Sequence, residues 1–394
     1  MKREATTSFV VLVLFFSSVF QILNVARGQT DNINYVITMS VTYSNQSNEN
    51  QIWNFTERED DRTISLFQNN EWQTVELADS TFFMKEERND TDGNPVAVLE
   101  FPLEHLNPGQ NITFTSTYHV VSKPRLLPSI MEEGSGVLRD IPEDLSDKYT
   151  KEEGPWLTSN SALQELAHSI IGDETKVLTI VRKLVLWIHN NIAYKVHDVP
   201  FYANETLTEG RGDCDDQAIL LITLSRILGI PAHLQVGAIY MPQNVISNET
   251  YWNSHVRTVQ RKIGWHGWAM VYVPPWGWLP VDLTFAAGGI ASPLKAVTNA
   301  AVTAQYTIQY MNITKSNYVA SSRQARDFLV NNDFCVYLED EMIEETGPQS
   351  PFDEGFSEWL IVGLIVAAAI LVTSSLLISR WLRKRWIEEE VPQP

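Results

Sequence analysis

Two segments constrain this chain most, residues 210–232 (GRGDCDDQAILLITLSRILGIPA) and residues 265–285 (WHGWAMVYVPPWGWLPVDLTF). The first places Cys214 at the start of an apolar run that predicts a buried helix, ended by a glycine and a proline. The second predicts a hairpin with His266 on one strand and Asp282 on the other. A thiol, an imidazole and a carboxylate in this order indicate an acyl-transfer site.

The length of the hairpin loop decides whether His266 and Asp282 can meet. If residues 274–276 form a three-residue loop, Tyr272 pairs with Trp278 and the next pairs follow in register. His266 and Asp282 then lie on the same face of the sheet as diagonal neighbours. A loop of two or four residues would put them on opposite faces, so the site requires the odd-length loop.

Cys214 has two interpretations. It is one of only two cysteines, and a disulfide with Cys335 is the structural alternative in an exported chain. The start of a helix favours a reactive thiol instead, because free N–H groups and the helix dipole stabilise a thiolate. The carboxylates of Asp213, Asp215 and Asp216 oppose that charge, so a nearby imidazolium must outweigh them. We therefore interpret Cys214 as a nucleophile and Cys335 as a free or buried thiol.

Both segments resemble the two signature segments of the transglutaminase-like superfamily, whose fold is related to that of papain-like cysteine proteases. The resemblance covers about residues 158–300 and is closest to membrane-anchored prokaryotic members. Small departures occur at Gly267, Met270 and Leu283, where the family commonly has other residues. The matching positions are Gly212, Cys214, Ala218, Leu228, Gly229, Ile230, Pro231, Ala232, His266, Trp268, Val271, Tyr272, Pro274, Gly277, Trp278, Pro280, Val281, Asp282 and Thr284.

This resemblance implies a catalytic triad of Cys214, His266 and Asp282 that forms a thioester acyl-enzyme. Hydrolysis of amide or peptide bonds is the first expectation, transamidation of protein glutamines the second, and a non-catalytic adhesion or assembly module the third. The backbone N–H of Cys214 is one expected oxyanion donor. The second donor, usually an upstream Trp or Gln side chain, stays unassigned.

The two ends of the chain predict a membrane-anchored protein. Residues 1–28 have the basic start, apolar run and small-residue end of a cleaved signal peptide, with an uncleaved anchor as the alternative. Residues 359–379 contain no charge and would span about 30 Å as a helix, the thickness of the hydrocarbon core. Basic residues at the start of 380–394 predict a cytoplasmic tail. The predicted location is therefore the plasma membrane, crossed once, with the remainder outside the cell.

Charge and short motifs limit the partners. With 29 basic and 48 acidic residues, the chain has a net charge of −19, which excludes nucleic acid as a partner. The expected substrate is a protein or peptide of the cell envelope, the oligomeric state is open, and neither a cofactor nor a metal is expected because the histidines lack metal-ligand spacing. Candidate glycosylation sites are Asn45, Asn54, Asn89, Asn111, Asn204, Asn248 and Asn312.

The order of the patterns predicts an α+β fold class. Short apolar–polar alternations between turn signals indicate strands in the first third of the chain, and helical spacing predicts a helix over about 174–191. The predicted parts are a β-sandwich-like domain at 29–125, a connector at 126–157, a transglutaminase-like (papain-like) catalytic domain at 158–338, an acidic stalk at 339–358 and the single C-terminal transmembrane helix.

Overall fold

The structure is a computed structural model that describes residues 31–48, 51–243, 246–285 and 292–345. Its strands are β1 (Ile33–Asn45), β2 (Trp53–Asn54), β3 (Thr63–Ser65), β4 (Gln73–Ser80), β5 (Met84–Asn89), β6 (Pro95–Leu99), β7 (His105–Leu106), β8 (Asn111–Ser122), β9 (Ala193–Tyr194), β10 (Arg211–Gly212), β11 (Ala232–Tyr240), β12 (Ser247–Tyr251), β13 (Val256–Arg261), β14 (Ile263–Val273), β15 (Gly277–Val281), β16 (Thr307–Ile313) and β17 (Phe334–Glu345). Its α-helices are α1 (Glu143–Tyr149), α2 (Ser161–Ile171), α3 (Val177–Asn191), α4 (Ala203–Glu209), α5 (Cys214–Ile227), α6 (Lys295–Thr298) and α7 (Tyr318–Asn332).

The largest sheet has six strands in the order β12-β13-β17-β1-β8-β4. Strand β8 shows why it forms, because alternate residues such as Phe114, Tyr118 and Val120 are buried while those between them face outward. Strand β1 is antiparallel to β8 on one side and to β17 on the other. Strands from the beginning and the end of the described chain therefore share one sheet.

This pairing corrects the predicted self-contained β-sandwich. The N-terminal strands β1, β4 and β8 share their sheet with β12, β13 and β17, because one edge of β1 pairs with β8 and the other pairs with β17 from the far end of the described chain. Residues 339–345, predicted to begin an acidic stalk, are the second half of β17. The boundaries of the predicted domains stay a prediction.

A second sheet of four strands, in the order β15-β14-β11-β16, supports the segments singled out in the sequence. Helix α5 packs on β14 and β11, and helices α2, α3 and α4 pack around α5. Residues 216–226 of α5 are all buried, so this helix is the centre of the largest apolar core. The mixed α+β core expected for residues 158–338 is present.

Hydrogen bonds to the turn between β5 and β6 link the N-terminal segment to this core. The Asp92 carboxylate accepts hydrogen bonds from the backbone N–H groups of Thr314 (2.8 Å), Lys315 (2.6 Å) and Ser316 (3.1 Å), and from the hydroxyls of Thr314 and Ser316. Burial opposes the charged carboxylate, but these hydrogen bonds outweigh burial and hold the pKa of Asp92 below its usual value. A charged group in a surface turn thus anchors the loop between β16 and α7.

The predicted transmembrane helix and membrane location are wrong as stated. Among the residues that the structure describes, no helix is long and apolar enough to cross a membrane. The predicted signal peptide at 1–28, the predicted span at 359–379 and the predicted tail at 380–394 all lie outside the described residues.

Candidate active site

Cys214 is the first residue of α5, as the sequence predicts. Asp213 precedes the helix as its N-cap, and its backbone N–H donates to Asp216 Oδ2 at 3.2 Å. Gly212 packs closely against the start of α5, because a Cβ at that position would lie 2.6 Å from the Cβ of Asp216. The helix stops where expected, since Gly229 adopts a left-handed φ of 77°.

His266 and Asp282 meet on the β14–β15 hairpin. Tyr272 pairs with Trp278, so the loop between the strands is the three-residue loop that the site requires. His266 Nε2 lies 3.1 Å from Asp282 Oδ2, and the two side chains are 7% and 0% exposed. The ring nitrogen is close to the carboxylate without an aligned hydrogen bond, so the contact is mainly electrostatic.

Backbone N–H groups hold both oxygens of the Asp282 carboxylate. Its Oδ1 accepts the backbone N–H groups of Thr284 (3.1 Å) and Phe285 (3.0 Å), and its Oδ2 accepts that of Ala301 (3.2 Å). Burial opposes ionisation, but His266 and these N–H groups outweigh burial and keep the pKa of Asp282 below its usual value. The carboxylate is therefore charged at neutral pH and fixed toward the imidazole.

The thiol of Cys214 lies against strand β14. The backbone N–H of Gly267, the residue after His266, faces the Cys214 thiol and acts to lower its pKa. A Cβ on Gly267 would lie 3.4 Å from the Cβ of Asp215, which shows how closely the start of α5 approaches the strand. Cys214 and Cys335 are both free thiols, so the alternative disulfide does not form.

The charges around Cys214 keep the resting sulfur protonated. Burial and then the Asp215 carboxylate raise the pKa of Cys214, and the Gly267 N–H offsets only part of this rise. Burial and a hydrogen bond with Asp215 raise the pKa of Asp213 to about 9, and burial with the charge of Asp215 raises that of Asp216 to about 6. The expected stabilisation of a thiolate by the helix start is thus outweighed by burial and the acidic neighbours.

Two tyrosines near the thiol carry no recognisable signal in the sequence. The Tyr318 hydroxyl, on α7, donates to Asp215 Oδ2 at 2.6 Å. Tyr194, on β9, lines a cavity of about 380 Å³ together with Gln217, Thr284 and Phe285. The Phe285 ring centroid lies 5.5 Å from that of His266, so the cavity lies beside the candidate site.

The described residues also bear on the predicted metal and glycan sites. One group, Asp213, Cys214 and Asp215, has donor atoms within 4.8 Å of one another. The expectation that the chain uses no metal or cofactor stays a prediction. Asn45 is an unsuitable glycan acceptor because it is fully buried and its Nδ2 donates to the carbonyls of Gln51 (2.8 Å) and Leu106 (2.9 Å). The remaining six candidate sites stay predictions.

Comparison with known proteins points to one family. Residues 164–283 match the family model of the transglutaminase-like superfamily, and no curated protein matches the chain. A candidate cysteine protease from Cytophaga hutchinsonii has a similar structure, with a TM-score of 0.50 and 17% identity, covering 82% of this chain and 94% of that one.

Two further solved structures are less similar. The periplasmic domain of TgpA from Pseudomonas aeruginosa, bound to ethylmercury, has a TM-score of 0.30 and 15% identity, covering 65% of this chain and 91% of that one. A candidate protease from Parabacteroides distasonis has a TM-score of 0.25 and 14% identity, covering 72% of this chain and 68% of that one. These two likenesses say nothing further about the fold.

Proposed function

Residues 164–283 belong to the transglutaminase-like superfamily, and from this premise we propose that the protein is a cysteine-dependent hydrolase of amide or peptide bonds. Cys214 is the nucleophile, His266 the general acid and base, and Asp282 the group that orients the imidazole. The observation that carries the proposal is the convergence of α5 with the β14–β15 hairpin. This convergence brings the start of α5 against Gly267, the residue after His266, and His266 Nε2 lies 3.1 Å from Asp282 Oδ2.

The reaction proceeds in two stages. His266 takes the thiol proton as the Cys214 sulfur attacks the carbonyl carbon, because the resting thiol is protonated. The carbonyl oxygen becomes an oxyanion near the Cys214 N–H. The C–N bond then breaks, the leaving amine takes the proton from His266, and a thioester remains. Water, deprotonated by His266, attacks the thioester, which releases a carboxylic acid and restores the thiol.

Charge supports each role. The carboxylate of Asp282, held ionised, stabilises the imidazolium that forms in both stages. Its position fixes the ring with Nε2 toward Asp282, which leaves Nδ1 for the sulfur side. The acyl acceptor distinguishes a hydrolase from a transamidase.

Labelling with a peptidyl chloromethyl ketone tests the proposal. We expect the full-length chain to be alkylated at Cys214 and not at Cys335, as read by mass spectrometry of its peptides. His266→Ala should slow the labelling at least about 10²-fold, whereas Cys335→Ala is the matched control and should leave it unchanged. Equal labelling of both cysteines, or labelling that does not depend on His266, would contradict a triad.

The acceptor is tested with peptide amides in the presence and absence of a primary amine. Free carboxylic acid as the main product, even with amine present, is expected of the hydrolase. An amine adduct as the main product would instead establish the transamidase. Activity that survives Cys214→Ala would exclude both.

A further inference from the structure

We propose that the Tyr194 hydroxyl is the second oxyanion donor of this site, opposite the backbone N–H of Cys214. The inference rests on the proposed function and completes the part of it for which no residue has been assigned. Oxyanion holes need a donor that is fixed before the reaction and is free to bind the developing charge. Tyr194 meets these requirements by its backbone pairing, its position in the cavity and its unused hydroxyl.

The backbone of Tyr194 is tied directly to the approach to the nucleophile. Strand β9 runs parallel to β10, and Tyr194 pairs with Gly212, two residues before Cys214. The Gly212 carbonyl accepts the backbone N–H of Lys195 at 3.1 Å and the side-chain Nε2 of Gln217 at 3.1 Å. The pairing with Gly212 and the Lys195 hydrogen bond thus hold the Tyr194 backbone beside the start of α5, and the Gln217 hydrogen bond holds Gly212 itself.

The side chain of Tyr194 lies in the cavity beside the triad, among Thr284 and Phe285 from the segment after Asp282. It is 61% exposed, so a substrate entering the cavity meets it. Within the described residues, its hydroxyl makes no hydrogen bond and is free to donate. Gln217 also lines the cavity and carries an amide, but its Nε2 already donates to the Gly212 carbonyl.

The electrostatic surroundings agree with a neutral donor near the sulfur. Partial burial, followed by Cys214, Asp213 and Asp215, whose ionised forms would repel a phenolate, raises the pKa of Tyr194 to about 12. The phenol therefore keeps its proton at every pH at which the enzyme would work.

The test compares two reactions of the full-length chain that share a thiolate but differ in an oxyanion. Cleavage of a peptide amide passes through a tetrahedral oxyanion, whereas alkylation of Cys214 by iodoacetamide does not. Tyr194→Phe keeps the ring and removes only the donor. We expect it to lower kcat/KM for the amide about 10²–10³-fold and to change the alkylation rate less than about 2-fold. Tyr337→Phe, whose hydroxyl lies on β17 and accepts from Gln46 at 2.6 Å, is the control and should change neither rate.

Three results would overturn the inference. An amide kcat/KM for Tyr194→Phe within about 3-fold of the unaltered chain means that the hydroxyl is not a donor. An equal fall in both rates means that Tyr194 acts on the thiolate and not on the oxyanion. If Cys214→Ala cleaves the amide as well as the unaltered chain, or the unaltered chain cleaves no peptide amide, the proposed function itself fails and the inference fails with it.

Discussion

The Tyr318 hydroxyl donates to Asp215 Oδ2 at 2.6 Å, which ties helix α7 to the residue that follows the candidate nucleophile. Burial first, and then the charge of Asp215, raises the pKa of Tyr318 well above its usual value, so the phenol is a permanent donor. The carboxylate of Asp215 is therefore held in one place, where its charge raises the pKa of Cys214.

Asp215→Asn should make Cys214 more reactive. The amide keeps an oxygen for Tyr318 but removes the negative charge that opposes the thiolate. A fall of one unit in the thiol pKa raises the thiolate fraction tenfold, and we expect iodoacetamide to alkylate the variant about 3–10-fold faster at constant pH. Asp327→Asn, on the exposed side of α7, is the control. An unchanged or slower alkylation of Asp215→Asn would show that this carboxylate does not suppress the thiolate.

Asp282→Asn and Asp282→Ala should separate the structural role of this residue from its charge. Asn keeps an oxygen for the N–H groups of Thr284 and Phe285, whereas Ala leaves these groups unpaired. We expect Ala to lower the free energy of unfolding by about 2–3 kcal/mol, measured in urea, and Asn to lower it less. The kcat/KM for an amide should fall about 10²–10⁴-fold in both variants, because neither side chain stabilises the imidazolium as a carboxylate does. Full activity of the Ala variant would remove Asp282 from the triad.

Asp213 should make the protein less stable as the pH rises. Its pKa is about 9 in the folded chain and 3.8 as the ordinary value, so between these values the folded state holds a proton that the unfolded state has released. The free energy of unfolding therefore decreases with pH in this window, by at most about 1.4 kcal/mol per pH unit for one proton. Asp213→Asn should remove the part of this dependence above about pH 6, leave the smaller part due to Asp216, and gain stability relative to the unaltered chain at higher pH. Urea unfolding at several pH values measures the free energy of unfolding of each variant, and Asp79→Asn at an exposed position is the control. A difference in stability between Asp213→Asn and the unaltered chain that is constant with pH would contradict the raised pKa of Asp213.

The parts of the site that could be predicted from sequence are those whose signals are local. The start of α5 at Cys214, its end before Gly229 and the three-residue hairpin loop each depend on residues within one element and its turn. The pairing of β1 with β17 joins strands from opposite ends of the chain, and no local pattern encodes that register. Tyr318 reaches Asp215 only through the packing of α7, so its role has no sequence signal.

Local motifs also misled where tertiary structure overrides them. The sequon at Asn45 has the acceptor pattern, yet its side chain is fully buried and bonds to backbone carbonyls. The helix start at Cys214 has the pattern of a stabilised thiolate, yet burial and Asp215 outweigh the dipole. At Asn45 the deciding contacts come from Gln51 and Leu106, which fold against the motif. At Cys214 the neighbouring Asp215 is visible in the sequence, but the burial that outweighs the dipole comes from tertiary packing.

Two glycines of the site should respond differently to alanine. A Cβ on Gly212 would lie 2.6 Å from Asp216 Cβ and 3.2 Å from Thr206 Cγ2, so the start of α5 would have to move. A Cβ on Gly267 meets its nearest atom, Asp215 Cβ, at 3.4 Å, which is an ordinary contact. We expect Gly212→Ala to lower the free energy of unfolding by about 1–3 kcal/mol and to lose most of the amide activity. Gly267→Ala should keep the free energy of unfolding within about 1 kcal/mol and the amide activity within about 3-fold. Equal effects of the two substitutions in urea unfolding and kinetics would contradict the packing described.

Asp92→Ala should loosen the attachment of the N-terminal segment to the core. The substitution leaves the backbone N–H groups of Thr314, Lys315 and Ser316 without the carboxylate that binds them. Because hydrogen bonds to a charged group are stronger than neutral ones, we expect the free energy of unfolding to fall by about 2–3 kcal/mol. The pKa of Asp92 lies below its usual value, so its contribution is present at neutral pH and is lost as the pH falls through the folded pKa. Urea unfolding at neutral and acidic pH measures both effects, with exposed Glu87→Ala on β5 as the control; a loss no larger than that of the control would show that the turn does not anchor the loop.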